Sequence, residues 1–118
     1  MYELLQPIAD RWIRRWAFPS AEALAAVAGL RPATVITGGS EGVGLALARH
    51  FAEKGNAVVL VARDEARLAA AAKAVVPEGA PPAVTLAHDI TRPDTPAMLD
   101  WTLAANGLYL DILVNNAG

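Results

Sequence analysis

The chain has 118 residues, of which 54% are hydrophobic and 19% are charged, and its formal net charge is -2. These values are typical of one small globular domain, exclude a disordered chain and give no general basic patch for nucleic acid. Without cysteine the chain forms no disulfide, and because His50 and His88 lie outside any ligand cluster we expect no metal site.

The first 32 residues predict a helical extension. Four apolar residues within 5–16 recur at helical spacing, with arginines on another face: Leu5, Ile8, Trp12 and Trp16. A second helix is predicted from Ser20, an N-cap candidate, to Gly29, a C-cap candidate. We assign residues 1–32 to a leader that packs on its own domain or on a neighbouring subunit. Contact of residues 2–16 with a membrane surface is the alternative.

From residue 33 onward, short apolar runs alternate with longer helical patterns. Four runs predict strands: ATVIT at 33–37, AVVLVA at 57–62, VTLA at 84–87 and DILVN at 111–115. Three helices are predicted between them, over 42–55, 64–76 and 93–107. In the first of these helices Val43, Leu47 and Phe51 lie four apart and predict its apolar face. The β-α-β-α-β-α-β order predicts an α/β fold with an open parallel sheet.

The segment TGGSEGVG, residues 37–44, lies on the first strand-to-helix turn. A helix N-terminus there stabilises an anion, and glycines let a pyrophosphate approach the backbone. Leu45 and Ala46 stand where an ATP-binding P-loop needs Lys and Ser or Thr, which excludes that motif. The six-residue dinucleotide pattern also fails, because Leu47 replaces its last glycine or alanine. The segment instead spells T-G-x-x-x-G-x-G.

Four motifs follow the four predicted strands in order: TGGSEGVG, VARDEARL at 61–68, HDIT at 88–91 and NNAG at 115–118. With these motifs the chain resembles the N-terminal half of a short-chain dehydrogenase/reductase. The resemblance covers residues 33–118 and implies a dinucleotide-binding half-domain with a Rossmann-like, doubly wound parallel sheet of strand order 3-2-1-4. It also implies hydride transfer between a nicotinamide cofactor and a carbonyl or alcohol substrate of unknown class.

The resemblance further implies which residues surround the cofactor. The glycine loop would contact the diphosphate and the adenosine ribose through Gly38, Ser40, Gly42, Val43 and Gly44. Asp89 and Ile90 would line the adenine, and the alternative for Asp89 is a loop or helix-cap carboxylate. The ribose and nicotinamide side would be bordered by Asn115, Ala117 and Gly118, with Asn115 also holding neighbouring strands together.

The end of the second predicted strand indicates the cofactor. NAD-binding folds place a carboxylate there for the ribose hydroxyls, whereas this chain has Ala62 followed by Arg63. A guanidinium binds a phosphate bidentately, so we predict NADP in preference to NAD. We also assign Glu41 to the cofactor site, yet Glu41 and Asp64 oppose this prediction unless Glu41 turns to solvent and Asp64 caps the following helix.

The residues that perform the family's chemistry are not found in this sequence, so we predict no catalytic residue in it. The family uses a Tyr-x-x-x-Lys pair, but Tyr2 and Tyr109 are followed four residues later by Gln6 and Leu113. We expect a cytoplasmic, NADP-dependent oxidoreductase truncated before its catalytic segment, inactive alone and homo-oligomeric at full length. The alternative is a non-catalytic nucleotide-binding or interaction module that holds a partner through its Trp/Arg leader.

Overall fold

The computed structural model describes residues 20–116, and these contain one sheet of four parallel strands. The strands are β1 (Arg31–Thr37), β2 (Ala57–Ala62), β3 (Val84–Ala87) and β4 (Leu108–Asn115). Their order across the sheet is β3-β2-β1-β4, and every neighbouring pair is parallel. The predicted α/β architecture and the predicted strand order 3-2-1-4 are confirmed.

The sheet has a hydrophobic core on each face. The helices are α1 (Ala21–Ala26), α2 (Gly42–Glu53), α3 (Glu65–Ala74) and α4 (Thr95–Ala105). On one face, Ile36 and Leu60 pack with residues of α2 and α3. On the other face, Val35 and Val59 pack with Leu103 of α4. Because successive strand residues point to opposite faces, a strand covered on both sides needs an unbroken apolar run, as β1 and β2 have.

Two strands are longer than their apolar runs predicted. β1 begins at Arg31 and β4 at Leu108, and these two residues pair with each other in the ladder. The pairing shifts register between Ala33 and Thr34, because Ala33 pairs with Leu110 and Thr34 with Ile112. Because of this shift, Asp111 pairs with no residue of β1. Asp111 is the first residue of the predicted DILVN run. The bulge therefore divides β4 into two segments, and the sequence pattern identified only the second.

The buried face of α2 differs from the predicted apolar stripe. Gly44 and Ala48 are the buried residues of this helix, whereas the side chain of Val43 is exposed. Leu47 and Phe51 are partly buried at the edge of the core. Small residues on the central line let the helix axis approach the sheet closely, and the larger side chains then pack on its flanks. Helical spacing alone does not distinguish these two arrangements.

The described part of the leader contains the short helix α1. The side-chain Oγ of Ser20 accepts a hydrogen bond from the backbone N–H of Ala23 at 3.1 Å, which confirms Ser20 as the predicted N-cap. α1 has no buried residue. The helix predicted over 5–16 lies outside the described residues. Within residues 20–116 no helix has the length and apolar character needed to cross a bilayer.

Leu60 provides a test of this core. Its side chain is fully buried on β2, so Leu60→Ala should lower the free energy of unfolding by about 2–5 kcal/mol through lost burial and a residual cavity. The matched control is Leu24→Ala on α1, whose side chain is 55% exposed and which should change stability by less than about 0.5 kcal/mol. Urea denaturation of both variants measures the difference. Equal losses at the two positions would contradict the described core.

Candidate functional site

The loops after β1, β2 and β3 line a cavity of about 470 Å³ at the carboxyl edge of the sheet. Parallel strands place their carboxyl ends at the same edge, so residues far apart in sequence meet there. The lining residues are Gly38, Ser40, Glu41, Val61, Ala62, Arg63, Asp64, Arg67, His88, Asp89, Ile90 and Thr91. The cavity therefore combines the glycine loop, the charged residues after β2 and the HDIT motif.

The cavity brings together some of the residues that were predicted to bind the cofactor. The predicted residues on its wall are Gly38, Ser40, Glu41, Arg63, Asp89 and Ile90. Four predicted residues are not part of this lining: Gly42, Val43, Gly44 and Asn115. Ala117 and Gly118, which are also predicted site residues, lie outside the described residues. Arg67 is on the wall although sequence reasoning missed it; its position in the first turn of the helix that follows Arg63 was the available signal.

The glycine loop has a backbone conformation that is unfavourable for residues with a side chain. Gly38 and Gly42 have φ angles of 66° and 60°, in the left-handed region that glycine adopts most easily. The N–H of Gly38 donates to the carbonyl of Val61 at 2.8 Å, which joins the loop to the end of β2. Glu41 is the N-cap residue of α2, yet its side chain makes no capping hydrogen bond. This leaves the first-turn N–H groups of α2 without that cap, as an anion-binding helix terminus requires.

Gly44 allows α2 to lie directly against the loop. A Cβ atom at Gly44 would collide with the backbone carbonyl of Gly38 and lie 2.8 Å from Nδ2 of Asn116. That Nδ2 also donates to the carbonyl of Gly38 at 3.3 Å. The third glycine of the motif therefore has a packing role here, between the loop and the residue that follows β4.

Side chains at the ends of β1 and β4 join the two strands. Oγ1 of Thr37 accepts a hydrogen bond from the backbone N–H of Asn116 at 3.0 Å. The same hydroxyl lies 3.3 Å from Oδ1 of Asn115. This geometry fits the strand-holding role that the family resemblance implies for Asn115. Asn116, which the sequence analysis did not single out, takes part in the same network.

Asp89 forms a tight turn at the cavity wall. Its Oδ1 accepts hydrogen bonds from the hydroxyl of Thr91 at 2.7 Å and from the backbone N–H of Thr91 at 2.9 Å. The Thr91 hydroxyl, the Thr91 N–H and the charges of Arg63 and His88 lower the pKa of Asp89 below its ordinary value of 3.8. The turn that the sequence allowed for this carboxylate is present, and it holds an ionised group at the cavity.

His88 connects the end of β3 to the start of α4. Its backbone N–H donates to the carbonyl of Ala62 at 2.9 Å, which extends the pairing with β2. Its Nε2 lies 3.1 Å from Oγ1 of Thr95 and 3.2 Å from Oδ1 of Asp94, and its side chain is nearly buried. These contacts support the loop that carries Asp89 on the cavity wall.

The carboxylate of Asp64 and that of Glu41 both meet Arg67. Oδ1 of Asp64 caps α3 by accepting from the backbone N–H of Arg67 at 3.1 Å, as predicted. Glu41 is largely exposed, but it does not simply turn to solvent, because its Oε2 lies 3.4 Å from NH1 of Arg67. Among residues 20–116, Arg63 takes part in no ion pair. On the cavity wall, the guanidinium of Arg67 is therefore paired with carboxylates, whereas that of Arg63 has no carboxylate partner among residues 20–116.

Comparison with known proteins gives the family. The sequence profile of the short chain dehydrogenase family matches residues 32–118. The chain belongs to the short-chain dehydrogenase family. It is 41% identical over 85 residues to the oxidoreductase DltE of Bacillus subtilis, covering 71% of this chain and 31% of that protein. It is 40% identical over 85 residues to 11-beta-hydroxysteroid dehydrogenase A of Sesamum indicum, covering 71% of this chain and 24% of the relative.

Two solved structures of oxidoreductases are similar to this chain. A metagenomic short-chain oxidoreductase in complex with NADP superposes with a TM-score of 0.65 at 40% identity, over 77% of this chain and 41% of that one. The L-sorbose reductase of Gluconobacter frateurii, complexed with NADPH and L-sorbose, has a TM-score of 0.67 at 36% identity, over 78% and 35% of the two chains. The chain therefore spans well under half of these relatives.

The packing role of Gly44 is testable by substitution. Gly44→Ala would add about 1 kcal/mol of helix propensity, but overpacking against a backbone carbonyl costs about 1–3 kcal/mol. Because the carbonyl of Gly38 cannot rotate away as a side chain could, we expect a net loss of stability in chemical denaturation. Ala46→Ser, at an exposed position of α2, is the control and should be nearly neutral. A stabilised Gly44→Ala variant would contradict the close approach.

The turn at Asp89 predicts a pH dependence. Its carboxyl carbon should titrate by NMR with a midpoint below 3.8, and Thr91→Val should raise that midpoint because it removes the strongest donor. A depressed carboxylate pKa stabilises the fold above the unfolded pKa, and this contribution is lost as pH falls through the folded pKa. The Thr91→Val destabilisation should therefore shrink in acid. Thr85→Val, exposed on β3, is the control and should leave the Asp89 titration unchanged.

Proposed function

We propose that the protein is an NADP-dependent short-chain oxidoreductase and that residues 33–118 form its cofactor-binding part. The observation that carries the NADP assignment is the pair Ala62 and Arg63 on the cavity wall at the end of β2. Ala62 supplies no carboxylate to the ribose hydroxyls, and Arg63 offers a guanidinium for a 2′-phosphate. The NADP and NADPH complexes of the two solved relatives support the same choice.

The residues present fit a dinucleotide. The left-handed glycines and the uncapped N-terminus of α2 offer backbone N–H groups to a diphosphate. The carboxylate of Asp89, held ionised by Thr91, accepts a hydrogen bond from an adenine amino group, and Ile90 supplies an apolar surface beside it. A nicotinamide cofactor bound there would supply the hydride chemistry.

In this proposal the residues of this chain bind and orient the cofactor, and they transfer no proton. Reduction of a carbonyl requires a hydride and also a proton from an acid at the substrate oxygen. No Tyr-x-x-x-Lys pair occurs in the 118 residues, so we assign proton transfer to none of them. We further propose a small-molecule carbonyl or alcohol substrate, a cytoplasmic location and a homo-oligomeric full-length protein.

Cofactor preference tests the proposal. A charge-assisted bond between Arg63 and the 2′-phosphate is worth about 1.5–3 kcal/mol, which corresponds to about a tenfold to hundredfold preference for NADP over NAD. Arg63→Ala should weaken NADP binding and leave NAD binding nearly unchanged. Ala62→Asp should reverse the preference, because it restores a ribose-binding carboxylate and repels the phosphate. Calorimetric dissociation constants for both cofactors provide the measurement, and added salt should reduce the NADP preference.

Arg49→Ala removes a positive charge from an exposed position of α2 that is not on the cavity wall, and it controls for net charge. It should change neither dissociation constant by more than about twofold. If the wild-type protein binds NAD as tightly as NADP, or if Arg63→Ala weakens both cofactors equally, the NADP assignment is wrong. If neither cofactor binds, the dinucleotide site itself is wrong.

A further inference from the structure

A second guanidinium lies on the cavity wall beside Arg63. Arg67 is in the first turn of α3, and both arginines line the same cavity. NH1 of Arg67 lies 3.4 Å from Oε2 of Glu41, and its Nε lies 3.7 Å from Oδ2 of Asp64. The Glu41 contact joins the glycine loop to α3 at the wall of the cavity that Arg63 also lines. Glu41 is thus a predicted site residue whose charge opposes NADP and which also holds the second arginine.

The two carboxylates that contact Arg67 differ in their other contacts. Asp64 has a structural role as the N-cap of α3, through its hydrogen bond to the backbone N–H of Arg67. Glu41 makes no cap on α2, and among residues 20–116 its carboxylate has Arg67 as its hydrogen-bonding and ion-pair partner. Glu41 can therefore release Arg67 without losing a helix cap, whereas Asp64 cannot move away without doing so.

We propose that Glu41 competes with the 2′-phosphate of NADP(H) for Arg67, so that Arg67 is a second phosphate-binding cation and Glu41 sets how tightly the phosphate binds. This inference rests on the NADP-binding function proposed above. A phosphate carries about -1.5 to -2 charges and accepts stronger hydrogen bonds than a single exposed carboxylate, so the exchange of partners favours the phosphate. NAD carries no 2′-phosphate and leaves the Glu41–Arg67 pair in place.

The exposure of the pair limits the size of the effect. The side chains of Arg67 and Glu41 are 63% and 73% exposed, and exposed ion pairs are weak and screened by salt. Competition by Glu41 should therefore lower phosphate affinity by about threefold to fivefold at low ionic strength, and by less in high salt. The arrangement keeps the preference for NADP moderate.

A double-mutant cycle tests this competition with Glu41→Gln, Arg67→Gln and the double variant. The probes are adenosine 2′,5′-bisphosphate, which has the 2′-phosphate, and 5′-AMP, which lacks it. Calorimetry should show that Glu41→Gln tightens the bisphosphate about threefold to fivefold and leaves 5′-AMP within about twofold, while Arg67→Gln weakens the bisphosphate alone. In the Arg67→Gln background, Glu41→Gln should improve bisphosphate binding by less than about twofold.

Glu65→Gln, an equal charge change at an exposed position of α3 that is not on the cavity wall, is the matched control and should have no effect above about twofold. An equal gain from Glu41→Gln in both backgrounds would mean simple repulsion of the phosphate, and a loss would mean that Glu41 positions Arg67. Either result overturns the competition. If 5′-AMP and the bisphosphate bind the wild-type protein equally, the NADP assignment fails. If neither binds, the proposed dinucleotide site fails as well.

Discussion

The pairing of β1 with β2 on one side and with β4 on the other is the constraint on which the rest of the structure depends. It aligns Thr37 with Val61 and with Asn115, so the chain leaves these strands at one edge of the sheet. The hydrogen bond from Gly38 to Val61 and the contact between Asn116 and Gly38 follow from this alignment. Because the pairing is parallel, the loops of both neighbours open on the same side as the glycine loop.

Burial on both faces of the central strands fixes their register. Val35, Ile36, Val59 and Leu60 are fully buried, and they alternate between the two cores. A register shift of one residue would exchange the residues of one core for those of the other. The loops therefore begin from defined positions, and the glycine loop adopts left-handed φ angles that residues with a side chain rarely adopt.

The charges at the cavity are exposed, in contrast to the core beneath them. Arg63 is without an ion pair among the described residues, whereas Arg67 is shared by Glu41 and Asp64. Exposed pairs of this kind contribute little to stability, but they decide which anion a guanidinium is free to bind. A selectivity for phosphate that depends on such pairs is easily changed by single substitutions, without disturbing the fold.

The sequence by itself determined the features that depend on neighbouring residues. The apolar runs predicted four strands, and the Ser20 and Asp64 caps were identified from local patterns, whereas the strand order was implied by the family resemblance that the four motifs carry. Tertiary structure decided the features that depend on distant residues meeting. The bulge at Asp111 follows from the pairing with β1, and Gly44 is buried because α2 lies against Gly38. Glu41 meets Arg67 because the strand order brings the two loops together. The two residues are distant in sequence, so no local pattern predicts this contact.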